Sequence, residues 1–173
     1  MKKILLFTTL GSWLFGLSSI AIGGPPIKYS EVITFPSCEF RVHFPTKTQR
    51  KTVYVNDIES FTVQSIYDGE SPFMRAECLS LANPSQTIAA FRAVLENQAK
   101  MSGIEKPEIT IEKTKLGMVG TYSGLRNAGG FDIRFFGKLI IGNRSLLALL
   151  MSEESAKFPS DKAVYFLNTV DMK

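Results

Sequence analysis

Apolar residues recur at every second position along most of this chain and switch to helical spacing only twice. That pattern restricts the fold to antiparallel strands packed with two helices. Over Cys38–Phe44, the apolar Phe40, Val42 and Phe44 alternate with Glu39, Arg41 and His43, the mark of a half-buried strand that Pro45 ends. Residues 46–51 are polar and basic and read as a surface turn, after which a strand resumes over 52–55. Strands over 60–67 and 73–81 flank Asp68-Gly69-Glu70-Ser71, a hairpin turn in which Gly69 supplies a permissive backbone.

A helix follows. Asn83 can cap it, Pro84 suits its first position, and Gln86 stands where a capping box needs it. Ile88, Phe91, Val94, Leu95 and Met101 recur at helical spacing with Arg92, Glu96, Asn97 and Lys100 opposite, and Gly103 is the stop. After Pro107 the period returns to two, giving strands near 108–116, 118–126, 131–141 and 144–151. Turns fall at 127–130 and at Gly142-Asn143. Ser160 then caps a last helix carrying Ala163, Phe166, Leu167 and Val170 on one face.

The expectation is an α+β domain of about eight strands, ordered β-β-β-β-α-β-β-β-β-α, with two helices packed on an antiparallel sheet. With its Phe-x-Val-x-Phe-Pro strand at 40–45, a helix after four strands, glycine-rich hairpins and a closing strand-then-helix at Phe166-Leu167, the chain resembles the PsbP-like fold. That fold is shared by photosystem extrinsic proteins, the Ran-binding Mog proteins and many small exported bacterial proteins. The resemblance spans most of the mature chain and implies a non-enzymatic adaptor or binding scaffold. It carries over no functional residue.

The N-terminus reads as a secretory signal over residues 1–23. Lys2 and Lys3 precede an almost wholly apolar stretch, Ile4–Leu17, and small residues follow at Ser18, Ser19, Ala21, Gly23 and Gly24. Cleavage fits after Gly23 or Ala21. The alternative is an uncleaved anchor, weakened by Gly11, Gly16 and the serines, and by Pro25-Pro26, which starts an extended segment. The chain therefore divides into a signal at 1–23, an extended lead-in at 24–36 and a single domain at 37–173. The two-lysine signal is of bacterial type, and the mature product is expected in the periplasm or the medium. The formal net charge is +4, but without Lys2 and Lys3 it is 18 basic residues against 16 acidic, a net of about +2. Such a balance gives no reason to expect a nucleic-acid partner, and the membrane is met only in transit during export.

Both cysteines lie in the mature part. Cys38 shares a strand face with Phe40, Val42 and Phe44, and Cys78 shares one with Met74 and Ala76, so both point at the core. In an oxidising compartment the pair reads as a disulfide, with two buried free thiols as the alternative.

Chemistry-bearing patterns are few. His43 is the single histidine, which excludes a His-rich zinc site. The chain holds no nucleophile elbow, phosphate loop or dinucleotide fingerprint. Cys38 and His43 fall on opposite faces of one strand, which separates them as a nucleophile and base. Glu153-Glu154, placed in the loop before the last helix, and Glu108 with Glu112 read as solvated charges. No catalytic residue, metal ligand set or cofactor is expected.

Two features remain as candidate binding sites. Lys47, Arg50 and Lys51 form a basic loop that suits phosphates or acidic headgroups, though such loops are usually only solvated. Tyr122, Arg126 and Arg134, with Phe136 and Lys138, are assigned to the face opposite Val119, Leu125, Ile133 and Phe135, and an aromatic beside arginines suits a binding surface. If a helix covers that face, Phe136 and Ile140 are core instead. The function expected is an exported binding or interaction protein without catalytic activity, its partner a protein or a small ligand. The alternative is a small secreted hydrolase, or a lipid or small-ligand carrier with a pocket between helix and sheet.

Overall fold

The computed structural model describes residues 27–36, 38–55, 58–66, 68–69, 72–81 and 87–173. The signal at 1–23, the cap at Asn83, Pro84 and Gln86, and Glu70-Ser71 of the first hairpin turn lie outside the described residues.

The strands are β1 (Glu31–Thr34), β2 (Phe40–Phe44), β3 (Thr48–Val55), β4 (Ile58–Ser65), β5 (Phe73–Ser80), β6 (Glu108–Thr114), β7 (Gly117–Ala128), β8 (Phe131–Ile141), β9 (Ser145–Glu154) and β10 (Val170–Met172). Helix α1 (Ile88–Met101) lies between β5 and β6, and α2 (Asp161–Asn168) between β9 and β10. The class is α+β, as the periodicity predicts, but the strands divide between two antiparallel sheets. One has three strands in the order β1-β2-β10 and the other seven in the order β3-β4-β5-β9-β8-β7-β6.

Three differences from the sequence reading have one cause: short or edge strands lack a readable period. β1 falls within the segment read as a lead-in, yet all four of its residues pair with β2. β10 continues past α2 for three residues on the other side of β2. β3 starts at Thr48, so Arg50 and Lys51 stand on an edge strand opposite Val63 and Thr62, not in a loop. An edge strand tolerates polar residues on both faces, which mimics the composition of a turn.

The larger core lies between the sheets. Phe40, Val42 and Phe44 of β2 and Ala163 and Phe166 of α2 pack onto Met74, Ala76, Val119, Ile140, Leu147 and Met151 of the large sheet. The Phe44 and Phe166 rings meet at 4.7 Å between centroids, and Phe35 stacks on Phe61 at 5.2 Å. Ser160 caps α2 as predicted, its hydroxyl accepting from the Ala163 amide at 3.3 Å. Helix α1 is capped by Thr87, whose hydroxyl accepts from the Ala90 amide at 3.1 Å.

Cys38 and Cys78 form the disulfide, with their Cα atoms 6.1 Å apart. The bridge ties the entry to β2 onto β5, hence one sheet onto the other. Beside it, Glu39 clasps the β8–β9 turn: its Oε1 accepts from the Arg144 amide and from the Ser145 hydroxyl, both at 3.1 Å. A Cβ at Gly142 would collide with that carboxylate and approach the Phe40 ring within 2.7 Å, so this glycine is required for close approach.

β10 is held to β2 by charge. Arg41 Nε donates to Asp171 Oδ1 at 2.6 Å, and His43 Nε2 lies 3.3 Å from Oδ2. Partial burial raises the Asp171 carboxyl, but the hydrogen bonds and charges of Arg41 and His43 outweigh it and the net shift is downward.

Two outcomes follow. Replacing both cysteines by serine releases a loop of 40 residues and costs about 4 kcal/mol, or roughly 8–16 °C of Tm in calorimetry; an unchanged Tm would exclude the bridge as a stabilising link. For Asp171, a depressed folded pKa means its contribution is complete above the ordinary value of 3.8 and is lost as pH falls through the folded value. The stability difference between wild type and Asp171→Asn, read from urea midpoints, should shrink toward zero as pH falls below that window.

Candidate functional site

The sheet register sets the site. Arg75, Leu150, Gly137, Tyr122 and Ile109 form one row across β5, β9, β8, β7 and β6, and Glu77, Ala148, Leu139, Gly120 and Ile111 form the next. Both rows lie on the face opposite the larger core. Helix α1 packs on this face over β6, β7 and β8, seating Phe91, Leu95 and Ala99 against Tyr122, Leu139 and Ile141.

Glycines decide where the helix lies. A Cβ at Gly120 would come within 2.6 Å of Leu95 and 2.7 Å of Phe91, and one at Gly124 would strike Ile104. Gly137 leaves the space that the Tyr122 ring fills.

Past α1 the face runs on through Leu146, Ala148 and Leu150 of β9 and Arg75, Glu77 and Leu79 of β5, all half-buried, and ends at the exposed Phe73. Arg75 Nη2 donates to Glu77 Oε2 at 2.6 Å on this open half. The boundary is therefore a step, with α1 as its riser and the β9–β5 face as its tread.

A cavity of about 150 Å³ opens at the foot of the step, lined by Arg75, Glu77, Gln98, Met101, Ser102, Tyr122 and Leu150 among others. Tyr122 lies at its base, 3 % exposed, with its hydroxyl 3.5 Å from Ser102 Oγ. Burial pushes the phenol up, and the Ser102 contact only partly offsets this. The residues of α1 are sorted by side. Arg92, Glu96 and Lys100 flank an open depression toward β6, whereas Gln98 and Met101 flank the cavity toward β9.

The residues singled out from sequence are not one surface. Tyr122 is buried under α1, and Arg126 lies on the same face across Gly103, where a Cβ would meet its Cδ at 3.1 Å. Arg134 is on the opposite face, because the register pairs it with Leu125 and pairs Arg126 with Ile133. The cause is the two-residue Gly129-Gly130 turn, with φ of +63° and +88°, which sets even positions of β7 opposite odd ones of β8. Arg134 instead lies over the Phe158 ring at 5.4 Å. Both arginines border an open depression of about 710 Å³ around Leu125, together with Glu105, Lys106 and Glu108.

Other assignments change with that register. Leu125, expected in the core, is 47 % exposed, while Phe136 packs against the larger core. Lys138 donates to the Leu167 carbonyl at 2.8 Å at the end of α2, and burial lowers its pKa. Glu153 is a buried residue of β9 that accepts from the Ser160 amide at 3.0 Å, not a solvated loop charge. Of the basic set, Arg50 lies over Phe61 at 5.5 Å, Lys51 projects from the other face of β3, and Lys47 precedes the strand.

Sequence reasoning missed Arg75, Glu77, Gln98 and Met101. Their one local signal is parity: Arg75 and Glu77 alternate with the buried Met74 and Ala76, so they share the other face. The assembled site offers an apolar floor, a phenol, an amide and an ion pair, which suit recognition. Among the described residues no group of three or more His, Cys, Asp or Glu is placed to hold a metal ion, and no helix is long and apolar enough to cross a membrane.

No protein-family model and no curated protein matches the chain. Among solved structures it is similar to the solution structure of cyanobacterial PsbP (CyanoP) from Synechocystis sp. PCC 6803, with a TM-score of 0.58 over 91 % of this chain and 99 % of that one at 8 % identity. The fold is PsbP-like.

The Gly137–Tyr122 contact can be checked directly. Gly137→Ala should cost about 1–3 kcal/mol in chemical denaturation, because the ring and the helix above it must shift. In a Tyr122→Ser background the same change should cost less than about 0.5 kcal/mol. Equal costs in both backgrounds would show that the two residues do not compete for one space.

Proposed function

We propose that this chain is an exported, non-catalytic binding domain whose partner docks on the step between α1 and the open β9–β5 face. The observation that carries this reading is the half-covered sheet. Leu146, Ala148 and Leu150 continue the core beneath α1 to a face that no described helix closes, and an ion pair stands on it. An apolar strip bounded by a few charged groups is the composition of a docking surface. Export is supported by the signal pattern at 1–23 and agrees with the Cys38–Cys78 bridge, since such bridges persist in oxidising compartments.

On the step itself, the cavity suits one side chain of a macromolecular partner better than a carried lipid. At about 150 Å³ it is well below the roughly 300–1,000 Å³ of sites that enclose a small molecule. It accepts one side chain of a docked partner.

Site-specific photocrosslinking in exporting bacterial cells tests this. Benzoylphenylalanine at Ala93 or Ala148, on the riser and the tread, should yield a covalent adduct on illumination. The same probe at the exposed Val32 of β1 should not. No adduct from either step position, with normal export, would refute the docking surface.

A further inference from the structure

We infer that β6 is a second docking site, an edge that takes an extended segment of another protein as an eighth strand, one whose residues read basic, apolar, polar, apolar, basic. The site lies on the opposite flank of α1 from the step and is independent of it.

The backbone is the first reason. β6 ends the large sheet, and its unpaired groups can be located. The Gly142 amide donates to the Ser145 carbonyl at 3.0 Å, so even positions of β8 bond β9 and odd ones bond β7. Carried through the unbroken registers, this makes Glu108, Thr110, Glu112 and Thr114 the β6 residues that bond β7. The N–H and C=O groups of Ile109, Ile111 and Lys113 therefore point away from the sheet. Among the described residues they meet no protein partner. Donors and acceptors repeating about every 6.8 Å along a line are met by one kind of ligand, another extended backbone.

The opposite edge of the sheet is covered where this one is not. The outward row of β3 begins at Thr48, and Glu31 Oε2 already accepts from its amide at 3.0 Å.

Side chains are the second reason, and they differ between the two faces of β6. Ile109 and Ile111 lie on the α1 face and are half-buried, packed under the helix on one side and open at the edge on the other. Beside them is the open depression of about 820 Å³ between Arg92 and Glu96 of α1 and the connection at Glu105 and Pro107. Apolar residues of an added strand would cover the isoleucines and enter that space. On the reverse face stand Glu108 and Glu112, both exposed. Among the described residues Glu108 accepts only from the Ser123 hydroxyl, at 3.4 Å, and Glu112 has no hydrogen bond from a side chain.

Residues opposite one another on paired strands stand about 5 Å apart, so basic residues belong opposite the two glutamates. Apolar residues belong opposite Ile109 and Ile111, and a polar one opposite Thr110. The order over 108–112 is symmetric, so it holds for either direction of the added strand. Main-chain bonds supply the affinity and the alternation supplies the selection.

The test is an amide NMR titration of the isotope-labelled exported protein with the peptide Ser-Gly-Lys-Val-Thr-Val-Lys-Gly-Ser. The amide signals of Ile109, Ile111 and Lys113 should shift together, with a dissociation constant on the order of 100 μM. Replacing both peptide lysines by glutamate should weaken binding at least about fivefold at low salt, and Glu108→Lys with Glu112→Lys in the protein should reverse the preference. Lys113→Pro removes an outward N–H that the fold does not use and should weaken binding at least about fivefold, whereas Lys113→Ala keeps that N–H and should bind within about twofold of wild type. Circular dichroism melts of each variant establish that they fold, and the wild-type titration with the two peptides decides the matter without them. No shift on β6 up to about 1 mM peptide overturns the inference, as does equal affinity for the lysine and glutamate peptides. Shifts centred on β9 and β5 instead would overturn it too, while leaving the step as a docking surface.

Discussion

A seven-stranded sheet has two faces to remove from water, and this chain has unequal means to cover them. At about 4.8 Å between strands the sheet is roughly 29 Å wide, while a helix covers only about 10 Å of that width. One face receives a three-stranded sheet and α2, joined to it by the Cys38–Cys78 bridge and by Glu39 on the β8–β9 turn. The other receives α1, which packs over β6, β7 and β8. The open β9–β5 face follows from that arithmetic, and the position of the helix sets which strands stay bare.

Position is fixed by backbone approach. Gly120 and Gly124 on β7 let Phe91, Leu95 and Ile104 lie close to the strand, and Gly137 on β8 admits the Tyr122 ring. Were the helix shifted toward β9, Gly120 and Gly124 would be left with no side chain packed over them, and the Arg75–Glu77 pair would be buried without a further partner. Burying a charge pair gains little unless its remaining hydrogen-bonding capacity is met. Packing and electrostatics therefore agree on leaving β5 uncovered.

Local alternation made much of this legible. The side on which Cys38 and Cys78 point was readable because Phe40, Val42 and Phe44, and Met74 and Ala76, mark the core face on the same strands. The reading failed where parity had to pass from one strand to the next. Tyr122, Arg126 and Arg134 were placed together although any hairpin closed by an even number of turn residues pairs even positions with odd ones. That correction was available from the sequence once Gly129-Gly130 was taken as the turn. β1 and β10 were not available, because four and three residues carry too short a pattern to show a period. The cavity was out of reach as well, since Gln98 and Met101 meet Arg75 and Tyr122 only through the placement of α1 on the sheet.

At 8 % identity, the likeness to cyanobacterial PsbP speaks of how the strands run and says nothing about what meets the uncovered face. A helix with one buried stripe ordinarily sets its charges opposite that stripe, where water solvates them best. Here Arg92 and Glu96 stand toward β6, Lys100 stands among the outward positions, and Ala90, Ala93 and Asn97 fill the rest of the outward face. Alanine's helix propensity accounts for its presence in the helix, and its small side chain lets a docked partner approach the outward face closely.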